Sequence, residues 1–233
     1  MLFDLRGRGR RRTVQVIYLS LAILMGGGLV LFGIGSSQSG GLFDAFSDDA
    51  QSGGSATESV DKRIDTQLAK LKVSPRNADA YAQLAILRFQ RAGITGIAQD
   101  GSYTEDGKKR LNLAADAWER HLQLERDKPD LRAAALMVQA YQGLDELPKA
   151  VRAKQLVTAA EKPPSSNLYQ QLAALAYQAG DSRVGDLASA RAVDLAPAAE
   201  RKELRTALET YKTQVAAQAA QGAQSGTTTP AAE

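Results

Sequence analysis

The chain has 233 residues, of which 24% are charged and 44% are apolar, enough for one packed domain with additional segments. Its net charge of +3 is local, because the first twelve residues carry five arginines and one aspartate and leave a nearly neutral remainder. A neutral body argues against nucleic-acid binding, and the absence of cysteine excludes disulfides, thiolate nucleophiles and Cys-based zinc sites.

The first predicted element is a membrane-spanning helix over residues 13–35, behind a basic cytoplasmic segment, residues 1–12. The stretch carries no charge, and about 21 apolar residues reach about 30 Å, the thickness of a bilayer's hydrocarbon core. The topology signal is the arginine group Arg8, Arg10, Arg11 and Arg12. It places the N-terminus in the cytoplasm and residues from 36 onward outside. A cleaved secretory signal is the alternative, although the apolar run is longer than such signals usually are.

Residues 36–57, SSQSGGLFDAFSDDAQSGGSAT, predict a flexible linker, because serine, glycine, aspartate and alanine dominate the stretch. Within it, Leu42, Phe43 and Phe46 form a short apolar group. This group would either dock on a neighbour or the lipid interface, or form an unpartnered turn.

Residues 58–216 predict an all-α domain of repeated helix pairs, because apolar residues recur at three and four and prolines and glycines fall between the periodic blocks. The stretch SNLYQQLAALAYQAGDSRVGDLASARAVDLAP aligns with LRAAALMVQAYQGLDELPKAVRAKQLVTAAEKP, and NADAYAQLAILRFQRAG repeats the first-helix pattern. The predicted repeats span about 76–129, 130–163 and 164–197, and the first contains an insertion at 93–109. A capping helix, 198–216, and a disordered low-complexity tail, 217–233, follow.

The last repeat carries a family resemblance in Tyr169, Leu172, Ala173, Gly180, Ala192 and Pro197. At this spacing the chain resembles the tetratricopeptide repeat (TPR) family over about residues 60–197. The resemblance implies a TPR-like α-α solenoid of about three repeats, each with two antiparallel helices. In layout, a single arginine-led span followed by such repeats is similar to ancillary subunits of the Sec translocon and to cell-envelope scaffolds. That implies a scaffold on the extracytoplasmic face of a bacterial plasma membrane, working in protein translocation, chaperoning or envelope biogenesis.

A partner-binding groove is predicted on the first helix of each pair, since stacked pairs curve and that helix lines the inner wall. By helical phase, the inward residues are Asp79, Ala82, Ile86, Phe89, Arg132, Gln139, Gln142, Asn167, Gln170, Ala174 and Tyr177. Amide side chains can hydrogen-bond an extended peptide backbone, and Phe89 and Tyr177 would accept an apolar side chain. The alternative is a solvated wall without a ligand.

No catalytic motif stands out, so the chain is predicted to be a non-enzymatic protein with other proteins or extended peptides as partners. Neither cofactor, metal nor small-molecule substrate is inferred. The single histidine, His121, is expected to be packed or on the surface, and Trp118 is expected in the core. The loop QDGSYTEDG lacks EF-hand spacing and is expected to be solvated. The alternative function is a cleaved, secreted helical protein that acts alone or has an unrecognised enzymatic role.

Overall fold

The computed structural model describes residues 53–225, and these residues confirm the all-α fold class. The helices are α1 (Gly53–Val73), α2 (Ala78–Thr95), α3 (Glu105–Leu124), α4 (Leu131–Gly143), α5 (Leu147–Ala160), α6 (Ser166–Gln178), α7 (Ser182–Leu195) and α8 (Arg201–Ser225). None of these helices is long and apolar enough to cross a membrane. The predicted span at 13–35 and the four topology arginines, Arg8, Arg10, Arg11 and Arg12, lie outside the described residues.

Two helix limits differ from the sequence prediction. Helix α1 begins at Gly53, inside the predicted linker, and α8 continues beyond the predicted capping helix to Ser225. Alanine and glutamine dominate residues 216–224, and both residue types have high helix propensity. The first residues of the predicted low-complexity tail, from 217 to 225, therefore belong to the last helix.

Most helix starts are set by a local side chain. A side-chain oxygen at the N-cap accepts a hydrogen bond from a backbone N–H of the first turn, which satisfies a donor that the helix itself leaves unpaired. The residues in this role are Asn77, Thr104, Asp130, Ser165 and Asp181. Helix α5 has a proline in its first turn instead, at Pro148, where the missing N–H has no cost.

The helices α2 to α7 form three antiparallel pairs. In the first pair, His121 near the end of α3 lies 3.0 Å from the Ala78 carbonyl at the start of α2. In the third, the Ser166 hydroxyl at the start of α6 donates to the Ala192 carbonyl near the end of α7, at 2.8 Å. Contacts from α3 to α4 and from α5 to α6 join each pair to the next, and α8 packs on α6 and α7. Within residues 53–225, no Cα of the first pair lies within 8 Å of a Cα of the third pair.

A continuous core runs through the stack, and small residues let its helices cross closely. Five alanines at the helix crossings are fully buried: Ala85, Ala114, Ala150, Ala173 and Ala192. The large side chains between them include Trp118 and Tyr141, which are 1% and 2% exposed. The prediction that Trp118 belongs to the core is confirmed.

The predicted insertion at 93–109 forms the end of α2, the start of α3 and the connection between them, residues 96–104. The Thr104 N–H donates to the Gly96 carbonyl at 2.8 Å, and a single β-bridge joins Ile97 to Tyr103. The ring of Tyr103 then packs over Gly143 at the end of α4, where an added Cβ would lie 2.7 Å from the ring. The insertion therefore ties the first helix pair to the second.

The aspartates in and just after this connection, Asp100 and Asp106, are bonded to neighbouring residues of the chain. The Asp100 carboxylate accepts hydrogen bonds from the Ser102 N–H at 2.9 Å and the Ser102 hydroxyl at 2.7 Å, and these bonds hold the pKa of Asp100 below its usual value. Asp106 is paired with Arg110 at 2.8 Å. Over residues 53–225, no group of three or more histidine, aspartate or glutamate side chains is placed to hold a metal ion.

Candidate partner-binding surface

The structure divides the predicted groove residues by exposure. Exposed residues are Asp79, Arg132, Gln139, Gln142 and Asn167, and half-buried ones are Ile86, Gln170 and Ala174. Three lie in the core: Ala82, Phe89 and Tyr177, with exposed fractions of 1%, 6% and 5%. The expectation that Phe89 and Tyr177 offer apolar contacts to a ligand is therefore corrected, because protein atoms already cover both rings.

Phe89 is buried because it lies on the core face of α2. Ala82, Ala85, Phe89 and Ala92 recur at intervals of three and four along α2, and all are buried. Two of the four predicted groove residues of α2, Ala82 and Phe89, lie on this core face, whereas Asp79 and Ile86 lie outside it.

Tyr177 is buried because α7 passes close beneath its ring. A Cβ added at Gly185 of α7 would lie 2.4 Å from the ring, so only glycine permits this approach. The Tyr177 hydroxyl donates to the Asp186 carboxylate at 2.9 Å and lies 3.0 Å from the Ser189 hydroxyl. Burial raises the pKa of Tyr177. The residue is thus a packing element of the third pair.

This close approach predicts a coupled pair of substitutions. Gly185→Ala is expected to lower the free energy of unfolding by about 1–3 kcal/mol, because the added methyl group displaces the Tyr177 ring. In the Gly185→Ala background, Tyr177→Ala should cost clearly less than in the original chain, since the clash is already relieved. Urea unfolding of the four chains measures both effects. Strict additivity of the two substitutions would contradict the packing described.

The exposed face of α4 is the most open part of the predicted groove. Arg132, Ala135, Gln139 and Gln142 follow one another at intervals of three and four and are all exposed. Arg132 lies 3.6 Å from the Asp130 carboxylate. The amides of Gln139 and Gln142 make no hydrogen bond or ion pair to any residue within 53–225, so their donors and acceptors face solvent.

The corresponding face of α6 is partly occupied. Gln170 donates to the Ser166 hydroxyl at 3.2 Å, and the Gln171 amide accepts from the Lys154 ammonium group at 2.6 Å. Gln178 donates to the Tyr211 hydroxyl of α8 at 2.6 Å. Sequence reasoning missed Gln171 and Gln178, although glutamine recurring along one helix is a visible signal. These bonds position the helix but reduce the number of amides available to a ligand.

The faces of α4 and α6 belong to helices that do not pack directly on each other. Helices α2 and α4 contact closely, whereas no Cα of α4 lies within 8 Å of a Cα of α6. Bulky side chains or a bound segment can therefore be accommodated more readily between α4 and α6 than between α2 and α4.

A second concave surface, which we call the α3–α5 groove, lies where the end of α3, the start of α4 and the end of α5 meet. It is open and has a volume of about 810 Å³. Its floor includes Leu122, Leu131 and Leu156, and its rim includes Arg126, Lys128 and Arg152. Sequence reasoning missed it, because residues of three helices form the groove only after folding.

The single histidine has a structural role. The Asp130 N–H donates to Nε2 of His121 at 3.0 Å, so Nδ1 carries the hydrogen that is donated to the Ala78 carbonyl. The ring also stacks on Trp118, with centroids 5.3 Å apart, and it is 1% exposed. Of the two positions expected for His121, packed or on the surface, the structure shows the packed one. Both of its nitrogens are engaged with backbone groups.

No protein-family model matches the chain, and no curated protein sequence matches it.

Proposed function

We propose that the chain is a non-enzymatic, membrane-tethered scaffold with a TPR-like solenoid that binds extended segments of other proteins through α4 and α6. The three antiparallel pairs, their nearest-neighbour contacts and the last helix on the third pair support the TPR-like interpretation. The uncharged stretch 13–35 behind Arg8, Arg10, Arg11 and Arg12 supports a retained anchor with the helical domain on the extracytoplasmic side.

The observation that carries the proposal is the pair of unbonded amides on α4. Gln139 and Gln142 lie on one exposed face, and each offers a donor and an acceptor to a peptide backbone. Such bonds favour an extended chain without demanding a particular sequence, which suits a scaffold that handles client proteins. Protein translocation, chaperoning or envelope biogenesis on a bacterial plasma membrane are the processes that this arrangement fits.

The proposal is tested by photo-crosslinking in intact membranes. A photoreactive residue at Gln139 should capture a defined protein, whereas one at the exposed Arg191 of α7 should not capture it. With the photoreactive residue at Ala135 instead, Gln139→Ala combined with Gln142→Ala should lower that capture about tenfold, since each net hydrogen bond contributes about 0.5–1.5 kcal/mol. Equal capture from α7, or capture unaffected by the double substitution, would refute binding through this face.

A separate experiment distinguishes the anchored chain from the alternative, a cleaved and secreted protein. Alkaline extraction should leave the chain in the membrane fraction with its N-terminal segment intact by mass measurement. A soluble chain beginning near Ser36 would support the alternative.

A further inference from the structure

We propose that the α3–α5 groove binds the acidic, apolar segment at residues 42–49 of a second copy of this chain. This surface differs from the α4 and α6 faces, so the inference goes beyond the proposed scaffold function, and it rests on that function only for the membrane anchor.

The rim of the groove presents positive charge without partners. Arg126, Lys128 and Arg152 are exposed and make no ion pair to any residue in the described range, and Asp127 is the one anion among the groove-lining residues. Several cations elsewhere in the domain are paired, as Arg91 is with Asp61 at 2.7 Å. The groove therefore has an excess of positive potential over its apolar floor.

The floor offers apolar surface to a ligand. Leu131 is 42% exposed, although it begins a helix whose next turn is in the core. Leu122 and Leu156 are half-buried and complete the floor. A ligand that fits must combine apolar side chains with negative charge.

Residues 42–49, LFDAFSDD, have this combination. The segment has three apolar side chains, Leu42, Phe43 and Phe46. One aspartate lies between them, at position 44, and two follow, at positions 48 and 49. No lysine or arginine occurs between Arg12 and Lys62, so no neighbouring cation offsets these charges. Aromatic anchors with acidic neighbours complement an apolar floor with a basic rim.

Chain length favours a second copy over the same copy. Helix α1 has 21 residues, about 31 Å, and its Val73 end leads into the start of α2, beside the end of α3 that lines the groove. Asp61 of α1 is held beside Arg91, near the other end of α2. Phe46 precedes Gly53 by seven positions, so a fully extended chain between them spans at most about 25 Å, less than the length of α1. Phe46 and the two aspartates that follow it, at positions 48 and 49, therefore fall short of the groove of their own copy.

Such a contact pairs two different surfaces, so it can close as a reciprocal two-fold dimer or continue head to tail through further copies. Copies tethered in one membrane meet at high local concentration, so even a weak contact would be populated. The α4 and α6 faces would remain available to other partners.

The first test locates the segment on the full-length chain in membranes. Isotopically light and heavy copies are mixed, each with a photoreactive residue at the exposed Gln155 of the groove. We expect crosslinks from position 155 to residues 42–49, in light–heavy pairs. Capture of another protein or of lipid instead, crosslinks within single copies only, or no crosslink to this segment would overturn the proposal.

The second test exchanges the charges. Lys128→Glu with Arg152→Glu in one copy, or Asp48→Lys with Asp49→Lys in another, should each lower the crosslink yield about tenfold when introduced alone. Mixing the two altered copies should restore the yield between them. Arg183→Glu with Arg191→Glu on α7 is the matched control and should leave the yield unchanged. Failure of the mixed copies to recover, with an unchanged helical circular-dichroism signal, would refute pairing of these charges.

Discussion

Gly107→Ala is expected to lower the free energy of unfolding by about 3 kcal/mol or more, among the largest effects of any single substitution in the domain. An added Cβ would lie 2.2 Å from the Gly96 carbonyl oxygen and 2.9 Å from the Gly96 Cα. Both contacts are with backbone, so no side-chain rotation relieves them. Chemical unfolding followed by circular dichroism measures the loss.

Gly93→Ala is the matched control for this substitution. Gly93 lies in α2 three residues before Gly96, and apart from its chain neighbours and the backbone of its own helix no atom lies within 4 Å of the position of an added Cβ. Alanine should stabilise the helix there by up to about 1 kcal/mol, because glycine has the lower helix propensity. If both substitutions changed stability equally, the close backbone crossing between α2 and α3 would be wrong.

His121→Ala is expected to cost about 3–5 kcal/mol of stability, comparable to the truncation of a large core residue. The substitution leaves a cavity beside Trp118 and removes the hydrogen-bond partners of the Ala78 carbonyl and the Asp130 N–H. Because Asp130 caps α4, the loss should extend to the contact between the first two pairs. Thermal unfolding reports the total cost.

Arg120→Ala provides the comparison on the same helix. Arg120 is exposed and bonds only to the nearby Gln123, so its replacement should change stability by less than about 0.5 kcal/mol. A His121→Ala effect as small as this would contradict the role of the histidine as a link between three helices.

The fold was largely accessible from the sequence because its signals are local and repeated. Apolar residues recur at three and four along each predicted helix, and the first-helix pattern returns in each repeat. Periodicity also predicted which blocks are helical and how they pair along the chain. The end of α8 was missed, because an Ala- and Gln-rich stretch is compatible with either a helix or a low-complexity tail.

The candidate site was only partly accessible, because exposure depends on what packs against each face. Gln139 and Gln142 are exposed as predicted, but Tyr177 is covered by the approach of α7 at Gly185. That approach involves residues of two helices, and no periodic pattern within one helix reveals it. The α3–α5 groove was missed for the same reason, since Leu122 and Leu156 become neighbours only when the pairs stack.

The central claim, an anchored helical domain whose α4 face is open on the extracytoplasmic side, is tested most directly by cysteine labelling. The chain has no cysteine, so a single one at Gln139 reports alone. In cells with an intact plasma membrane, an impermeant maleimide added from outside should label Gln139→Cys in a chain that resists alkaline extraction. Ala140→Cys, at a position that is 0% exposed, should stay unlabelled until the domain is unfolded. Labelling of Gln139→Cys only after the plasma membrane is broken would contradict the account.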